Sequence, residues 1–299
     1  MLLSIITPSF NRGYCLHKIY QSLSQFHRHD FEWILVDDGS TDDTELIVQP
    51  WVEEKRLNFT YVRQANSGKT NAVIRGFEQN PRGTYTLVLD SDDILLPNAM
   101  DLIKKYAADL HPAEIGMVFL KQNSLGEIVG TAFRLCSSNY ITMYFGPNRC
   151  SGDKLFVVET ACYKKSLVAA FPGEKLIPEG VIYMHMQKAG SFRCVNEFLY
   201  AGDYLADGLS ASTLRLAANN IHGFILEKKL LEAQPLTLKD AVINNMKYIS
   251  YSIAGGKKLG DILTYSRWKI LTVFLLLPTV LISFPRIIEI KKIIKNRTF

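Results

Sequence analysis

The sequence predicts an α/β fold: a mostly parallel sheet with helices on both faces, followed by a helical C-terminal region. Three observations predict it. Short apolar runs rich in β-branched residues alternate with helix-like stretches four times within the first ninety residues. Those runs lack the polar alternation of a half-solvated strand, so they read as strands covered on both faces. Polar or acidic clusters follow three of them, at Pro8–Arg12, Asp37–Asp42 and Asp90–Asp93. In such sheets ligands bind outside the carboxyl ends of the strands. Three clusters at one edge therefore make a site, whatever it binds.

Leu2–Thr7 (LLSIIT) is the first strand, ended by Pro8, and a helix follows from about Tyr14 to Gln25. Glu32–Val36 is the second strand. Thr41–Trp51 reads as a helix capped by Thr41 or Asp42, with Leu46, Ile47 and Val48 as its apolar face. Leu57–Val62 is the third strand, and Ser67–Asn80 a helix with Ala72, Val73, Gly76 and Phe77 inward. Thr84–Leu89 is the fourth strand, and Pro97–Leu110 another helix. Glu114–Leu120 and Glu127–Thr131 read as strands joined by a turn at Ser124–Gly126. From about Gly146 to Asp207 the pattern is less regular. That stretch holds the polar segment Gly173–Gly180 (GEKLIPEG), a helix-like run to Ala189, and a last strand at Phe192–Leu199. Leu214–Ala233 and Leu238–Ser252 are candidate helices. The expected organisation is a domain over 1–211, with halves 1–110 and 111–211, and a helical region over 212–299.

The totals exclude several classes. Of 299 residues, 47% are hydrophobic and 21% charged, so the chain builds a core and is not disordered. A net charge of +5 without a concentrated basic stripe does not indicate nucleic acid. Five cysteines, an odd number with no CxxC pair, give neither a zinc site nor a disulfide framework and suit a reducing cytosol. Met1–Ile6 is apolar but short, lacks a basic leader, and does not read as a signal peptide. The six histidines show no ligand spacing.

Asp90, Asp92 and Asp93 place three carboxylates at one strand end, and alternation puts Asp90 and Asp92 on the same side. Like charges that close raise each other's pKa unless a cation neutralises them. Asp is a hard ligand suited to magnesium or manganese, ions that bridge to substrate phosphates. One Asp, Asp92 or Asp93, suffices to cap the helix near Pro97; three are more than a cap requires. At Asp37–Asp42, Gly39 permits a sharp turn, Asp42 caps the next helix, and a carboxylate at Asp37 or Asp38 can accept from a base N–H or a ribose hydroxyl.

Four motifs in order, Thr7–Arg12 (TPSFNR), Val36–Thr44 (VDDGSTDDT), Gln64–Asn71 (QANSGKTN) and Leu89–Asp93 (LDSDD), resemble the family 2 inverting glycosyltransferases of GT-A, Rossmann-like fold. The likeness covers about the first 110 residues. It implies a hexosyltransferase that binds a nucleotide-diphosphate sugar, with UDP the family's usual nucleotide, and a divalent cation, Mn2+ or Mg2+. Pro8, Ser9 and Asn11 would line the nucleotide pocket. Asp37 and Asp38 would hold base and ribose, with Asp38 favoured for the base. Lys69 would lie near the nucleotide or its phosphates. Asp90, Ser91 and Asp92 would form the DxD element, with Asp92 the first choice as metal ligand and Asp90 beside it. Inversion by direct displacement needs a general base. Pro178-Glu179-Gly180 looks like the family's element for it, so Glu179 is the candidate, with Glu174 and Asp203 next. Asp207–Ser210 resembles a closing loop of some relatives. The QxxRW motif of processive synthases is missing: Thr264 stands where Arg267-Trp268 would need Gln. Single-sugar transfer is therefore expected over polymerisation.

Ile270–Phe284 is uncharged, strongly apolar, interrupted by Pro278 and flanked by Arg267, Lys269 and Arg286. It falls short of the ~20 residues that span a bilayer. With the basic tail Lys291, Lys292, Lys295 and Arg297 it reads as an amphipathic or re-entrant hairpin, peripheral on the cytoplasmic membrane face, over 268–286; a buried helical pair is the alternative. The function expected is transfer to a glycan or lipid-linked acceptor in surface polysaccharide or lipid-linked oligosaccharide synthesis. A protein that binds nucleotide sugar without transfer is the competing class. A sugar nucleotidyltransferase would need a Gly-rich loop after the first strand, which TPSFNRG does not supply.

Overall fold

The computed structural model describes residues 1–204 and 212–296. Asp207–Ser210 and Arg297 lie outside the described residues. The strands are β1 (Leu3–Ser9), β2 (Phe31–Asp37), β3 (Phe59–Arg63), β4 (Tyr85–Val88), β5 (Ile94–Leu95), β6 (Glu114–Gln122), β7 (Ser137–Ser138), β8 (Lys154–Glu159) and β9 (Ser191–Ala201). They form one sheet in the order β3-β2-β1-β4-β8-β6-β9-β5, with β7 paired to β9. β1 is parallel to β2 and β4, and β2 to β3. β8 runs antiparallel to both its neighbours, while β6 and β9 are parallel. The winding reverses between β1 and β4, and the crevice at their carboxyl ends is where such a sheet takes a ligand.

Helices α1 (Gly13–Leu23), α2 (Thr44–Glu54), α3 (Lys69–Glu78), α4 (Ala99–Ala107), α5 (Tyr140–Tyr144), α6 (Thr160–Ser166) and α7 (Glu179–Met186) belong with the sheet. β1 and β2 are buried along their whole length, and strand alternation sends their side chains into two cores. Leu3, Ile5, Trp33 and Leu35 pack with Leu16, Ile19 and Ile103 on one face. Ile6, Ile34 and Val36 pack with Val73, Phe77 and Phe156 on the other.

Helices α8 (Thr213–Asn219), α9 (Ile221–Leu231), α10 (Leu238–Ala254), α11 (Leu259–Tyr265) and α12 (Lys269–Lys295) share a third core of Ile221, Ile225, Tyr248, Ile249, Ile287 and Ile290. A buried polar hub pins the start of α12. The Glu232 carboxylate accepts from Asn245 Nδ2 (3.1 Å), Ser266 Oγ (3.1 Å) and the Arg267 amide (2.7 Å). Thr272 Oγ1 joins through Asn245 (2.9 Å) and Ser266 (2.7 Å).

Three expectations are corrected. Glu127–Thr131 is not a strand: only Ile128 bridges to Gln122. Asn123 Oδ1 accepts the amides of Leu125 and Glu127, closing a tight turn, and the chain then leaves the sheet at Gly130. Conversely, Lys154–Glu159, within the stretch read as irregular, is a central strand; its apolar part, Leu155–Val158, is too short to announce itself beside charged ends. Finally, Ile270–Phe284 is no hairpin. It lies inside one continuous 27-residue helix that contains both Pro278 and Pro285. A proline removes one N–H from a helix, and the long contact of α12 with α10 and α8, through Thr272, Thr279 and Ile287, holds the rest together.

Candidate active site

The ends of β1, β2 and β4 open on a cavity of about 490 Å³, a size that takes a ligand of nucleotide-sugar dimensions. Pro8, Ser9, Asn11, Asp38, Lys69, Asp90, Ser91 and Asp92 all line it. Ser9 is buried, and its Oγ has no hydrogen-bond partner. Asn11 adopts a left-handed backbone (φ 52°) and accepts the Thr41 amide at 2.8 Å, while its own amide donates to Ser40 Oγ at 2.9 Å. The two loops are thereby tied to each other. Asp42 accepts from the Gly13 amide (3.0 Å) and from Thr44 N and Oγ1 (3.1 and 2.6 Å), tying the starts of α1 and α2 together, although the N-cap position of α2 is Asp43 rather than Thr41 or Asp42.

The two carboxylates after β2 sit differently. Asp37 lies behind the cavity, fully buried, and serves its own chain: it accepts from the Ser40 amide and the Tyr61 hydroxyl, both at 2.8 Å. Asp38 lines the cavity and clasps the next loop, accepting from Gln64 Nε2 (2.8 Å), the Ser67 amide (2.8 Å) and the Gly68 amide (2.7 Å). Those two amides open α3, which carries Lys69. Asp38→Ala would leave the buried Gly68 amide and the part-buried Ser67 amide unpaired, at about 1–3 kcal/mol. The expected outcome is a lower denaturation midpoint; a variant as stable as wild type contradicts this role.

Lys69 is the hinge of the site. Its Nζ lies 2.7 Å from Asp90 Oδ1 and 2.9 Å from Glu179 Oε1. Burial alone pushes the ammonium pKa down, but the two carboxylates outweigh it and hold it well above the usual lysine value. Asp92 is raised by burial and then by the Asp90 charge beside it. Asp93 is pushed up to about 7 by burial, against the pull of Lys121, whose Nζ lies 2.7 Å away. That pair fits only because residue 202 is glycine; a Cβ there would fall on the Asp93 carboxylate. Among the described residues no group of three His, Cys, Asp or Glu side chains is arranged to hold a metal ion.

Glu179 is the first residue of α7, with its side chain about half exposed; it is not among the cavity's lining residues and is tied to it only through its ion pair with Lys69. The other two candidate bases part company. Glu174 is buried and committed, accepting the His222 and Gly223 amides (2.7 and 3.0 Å) at the start of α9. Asp203 lines the cavity and accepts the Ser124 amide at 3.1 Å. Between Glu174 and Glu179 the GEKLIPEG loop is strapped down: Asn220 Oδ1 accepts the amides of Lys175 (2.9 Å) and Leu176 (2.8 Å), and Thr70 Oγ1 accepts that of Ile177 (2.8 Å). The strap carries Lys175 to the cavity, where its Nζ bonds Asn66 Oδ1. Sequence reasoning missed Lys121, Asp153 and Lys175 as lining residues; only Lys175 lay in a segment it had singled out.

The sequence matches Glycosyl transferase family 2 over residues 4–157, more than half of the chain. The chain belongs to this family. This family 2 glycosyltransferase is similar to the GalNAc(5)-diNAcBac-PP-undecaprenol beta-1,3-glucosyltransferase of Campylobacter jejuni, at 27% identity over 247 residues, 80% of this chain and 76% of that protein. It is 40% identical over 94 residues to the putative teichuronic acid biosynthesis glycosyltransferase TuaG of Bacillus subtilis, covering 31% of this chain and 36% of that one. Among solved structures, S. aureus TarS 1–349 in complex with UDP-GlcNAc aligns with a TM-score of 0.60 at 18% identity, over 99% of this chain and 91% of that one. The mannosyltransferase PcManGT from Pyrobaculum calidifontis, in complex with GDP-Man and Mn2+, aligns at 0.54 and 13% identity, over 94% and 86%. These likenesses establish the fold, that of GT-A glycosyltransferases.

Proposed function

We propose that this glycosyltransferase moves one sugar from a nucleoside-diphosphate sugar, with UDP the first choice, to an acceptor hydroxyl with inversion. The observation that carries the reading is Lys69, which joins Asp90 on the nucleotide side to Glu179 on the other. With a cation held at Asp90 and Asp92, an incoming diphosphate would compete for Lys69 and release Glu179. Pro8, Ser9 and Asn11 line the nucleotide end; the unpartnered Ser9 hydroxyl is available there. Asp38 orders the wall of that end, with Asp37 bracing it from behind, and offers the base contact when its present bonds rearrange.

A divalent cation, Mn2+ or Mg2+, fits Asp92 with Asp90 beside it. The pair's like charge, which already raises Asp92, is what a cation relieves, and such ions take one or two carboxylates plus substrate phosphates. Bound there, it would supply Lewis-acid stabilisation of the departing diphosphate. PcManGT, in complex with GDP-Man and Mn2+, is in keeping with this assignment. Glu179 takes the proton of the acceptor hydroxyl as that oxygen bonds to the anomeric carbon. The nucleoside diphosphate leaves from the opposite face, so the anomeric configuration inverts.

The Campylobacter relative, whose name specifies an undecaprenyl-diphosphate glycan, supports a glycan or lipid-linked acceptor, and the proposed location is the cytoplasmic face of the cell membrane. α12 supports the location. Ile270, Phe274, Leu277, Leu281 and Phe284 form an exposed stripe, between 55% and 75% accessible, along one side of that helix. Its other side packs on α10 and α8. By length and composition α12 is long and apolar enough to cross a membrane. Held on α10 and α8 with its apolar side outward, it is proposed to lie along one. Phe274→Asp with Leu277→Asp should abolish membrane association while leaving folding and nucleotide binding intact. Retained flotation with vesicles contradicts it. Truncation before α12 is the poorer test, because it removes Thr272 from the Glu232 hub.

The transfer itself is tested by incubating the enzyme with UDP-, GDP- and dTDP-sugars and undecaprenyl-diphosphate acceptors. Addition of one sugar with inverted configuration is expected by mass spectrometry and NMR. A retained configuration or a polymer ladder contradicts the reading.

A further inference from the structure

We infer that the end of the cavity remote from the nucleotide is a subsite for the donor's sugar ring, built to hold the hydroxyls of an uncharged hexose and to turn away a sugar that bears a carboxylate. The inference deepens the proposed donor site and rests on it. Asp93, Lys121, Asp153, Asp203 and Tyr204 all line that end of the cavity. Topology brings them there from distant stretches. Asp93 precedes β5, Lys121 stands near the end of β6, Asp153 precedes β8, and Asp203 and Tyr204 follow β9. β8 runs antiparallel to β4 and to β6, and β6 is parallel to β9. The start of β8 and the ends of β6 and β9 therefore emerge at the same edge as the end of β4. The sheet order sets β1 and β2, which carry the nucleotide end, on one side of β4, and β8, β6 and β9 on the other. A nucleoside diphosphate laid from Asp38 to Lys69, Asp90 and Asp92 thus carries its sugar past β4 toward Lys121 and Asp153.

The groups at that end suit hydroxyls. Asp93 and Lys121 are both buried, and their charges meet at 2.7 Å. Asp93 Oδ1 nevertheless accepts no hydrogen bond among the described residues. A buried polar atom left so is an opening for a partner. The Lys121 ammonium has three N–H groups and one carboxylate to face, so donors remain for a ligand oxygen. Tyr204 is 63% exposed, with its ring centre 5.7 Å from Lys121 Nζ, beside the buried Tyr200 at 5.3 Å. An aromatic ring with an apolar face and a polar tip offers a platform to the C–H side of a pyranose.

Charge decides the class of sugar. Lys121 and Asp93 offset each other, whereas Asp153 and Asp203 form no ion pair among the described residues. Lys154, next to Asp153, spends its ammonium on the carbonyls of Ser151 (2.6 Å) and Val129 (3.3 Å). Lys18 acts on Asp203 as a charge without an ion-pair contact. The balance at this end is negative. Hydroxyls donate charge-assisted hydrogen bonds to both carboxylates, while a carboxylate on the sugar would meet like charge in a confined space.

The test is calorimetry of the full-length protein with Mn2+ and no acceptor. The probes are UDP, UDP-glucose, UDP-galactose, UDP-GlcNAc and UDP-glucuronate. Three proteins are compared: wild type, Asp153→Asn/Asp203→Asn and Tyr204→Ala. Wild type should bind at least one uncharged sugar nucleotide about 10-fold or more tighter than UDP-glucuronate. The Asn pair keeps the size and the acceptor oxygens of both side chains. It should leave UDP affinity unchanged, weaken the favoured sugar nucleotide about 10-fold, because hydrogen bonds to charged groups are the stronger kind, and tighten UDP-glucuronate. Tyr204→Ala should weaken the sugar nucleotides and spare UDP. Variants that bind every probe as wild type does overturn the subsite, and UDP binding then shows that the donor site itself stands. Equal losses for UDP and its sugars mean a general disturbance of the cavity and overturn it as well. Wild type that takes UDP-glucuronate as tightly as the hexoses overturns the selection by charge. Unchanged donor binding with a raised KM for the undecaprenyl-diphosphate acceptor gives this end to the acceptor and overturns the assignment to the donor sugar. Folded wild type that does not bind UDP removes the UDP donor reading and the inference with it.

Discussion

Replacing Glu179 with Gln is expected to lower the turnover number by about 10²–10⁴-fold, the usual contribution of a general base. The amide keeps the size of the side chain and its place at the start of α7 but cannot take a proton. Donor affinity should hold or tighten, because Lys69 loses one of the two carboxylates that compete with an incoming diphosphate. The pair of readouts is what matters. A residue that only packed there would change both together or neither. Steady-state kinetics with nucleotide titration on the same preparation decides it, and unchanged turnover moves the base to Asp203. Glu174 is not available for that role, since its carboxylate is spent on the α9 amides.

A large stability effect is expected from Gly68→Ala. Gly68 sits at φ 93°, just before α3, and a Cβ built on it falls on the Lys175 backbone, inside any permissible contact. Two costs add: the left-handed conformation, and displacement of the strap between Glu174 and Glu179. Together they come to about 3 kcal/mol or more. Gly126→Ala is the matched control. Its φ is 79°, yet its Cβ meets nothing within 4 Å. A much larger loss for Gly68→Ala than for Gly126→Ala is expected, since only the former adds a clash to a positive φ. Near-equal losses would show that the strap yields freely and does not hold Lys69 and Glu179 together.

Much of the fold was legible because its first half states each element twice. β1 and β2 are apolar throughout since both faces are covered, and each ends in residues that no core would tolerate. The edge of the sheet could thus be read before any side chain was placed. What stayed hidden depended on contacts remote in sequence. Lys121 reaches Asp93 across the sheet, and its partner Gly202 looks like any loop glycine. β8 is short and enters the sheet antiparallel between two strands that already exist. The unbroken run of α12 through Pro278 follows from its packing on α10, which local propensity does not encode.

At the site, the motif residues Asp38, Lys69, Asp90 and Asp92 come around one cavity, whereas Asp37 and Glu174 turn to internal bonds. Neighbouring carboxylates of one loop, or of one strap, are alike in sequence. Only the direction each faces separates a ligand contact from a brace.

The central claim is that Lys69, Asp90 and Asp92 form the diphosphate and cation end of a donor pocket. Calorimetry of UDP, GDP and dTDP, with and without Mn2+, on wild type and Asp92→Ala, tests it most directly. The account predicts that one nucleotide binds wild type in a Mn2+-dependent manner and that Asp92→Ala removes the dependence. Folded protein that binds none of the three, or a variant that binds with undiminished metal dependence, would contradict it.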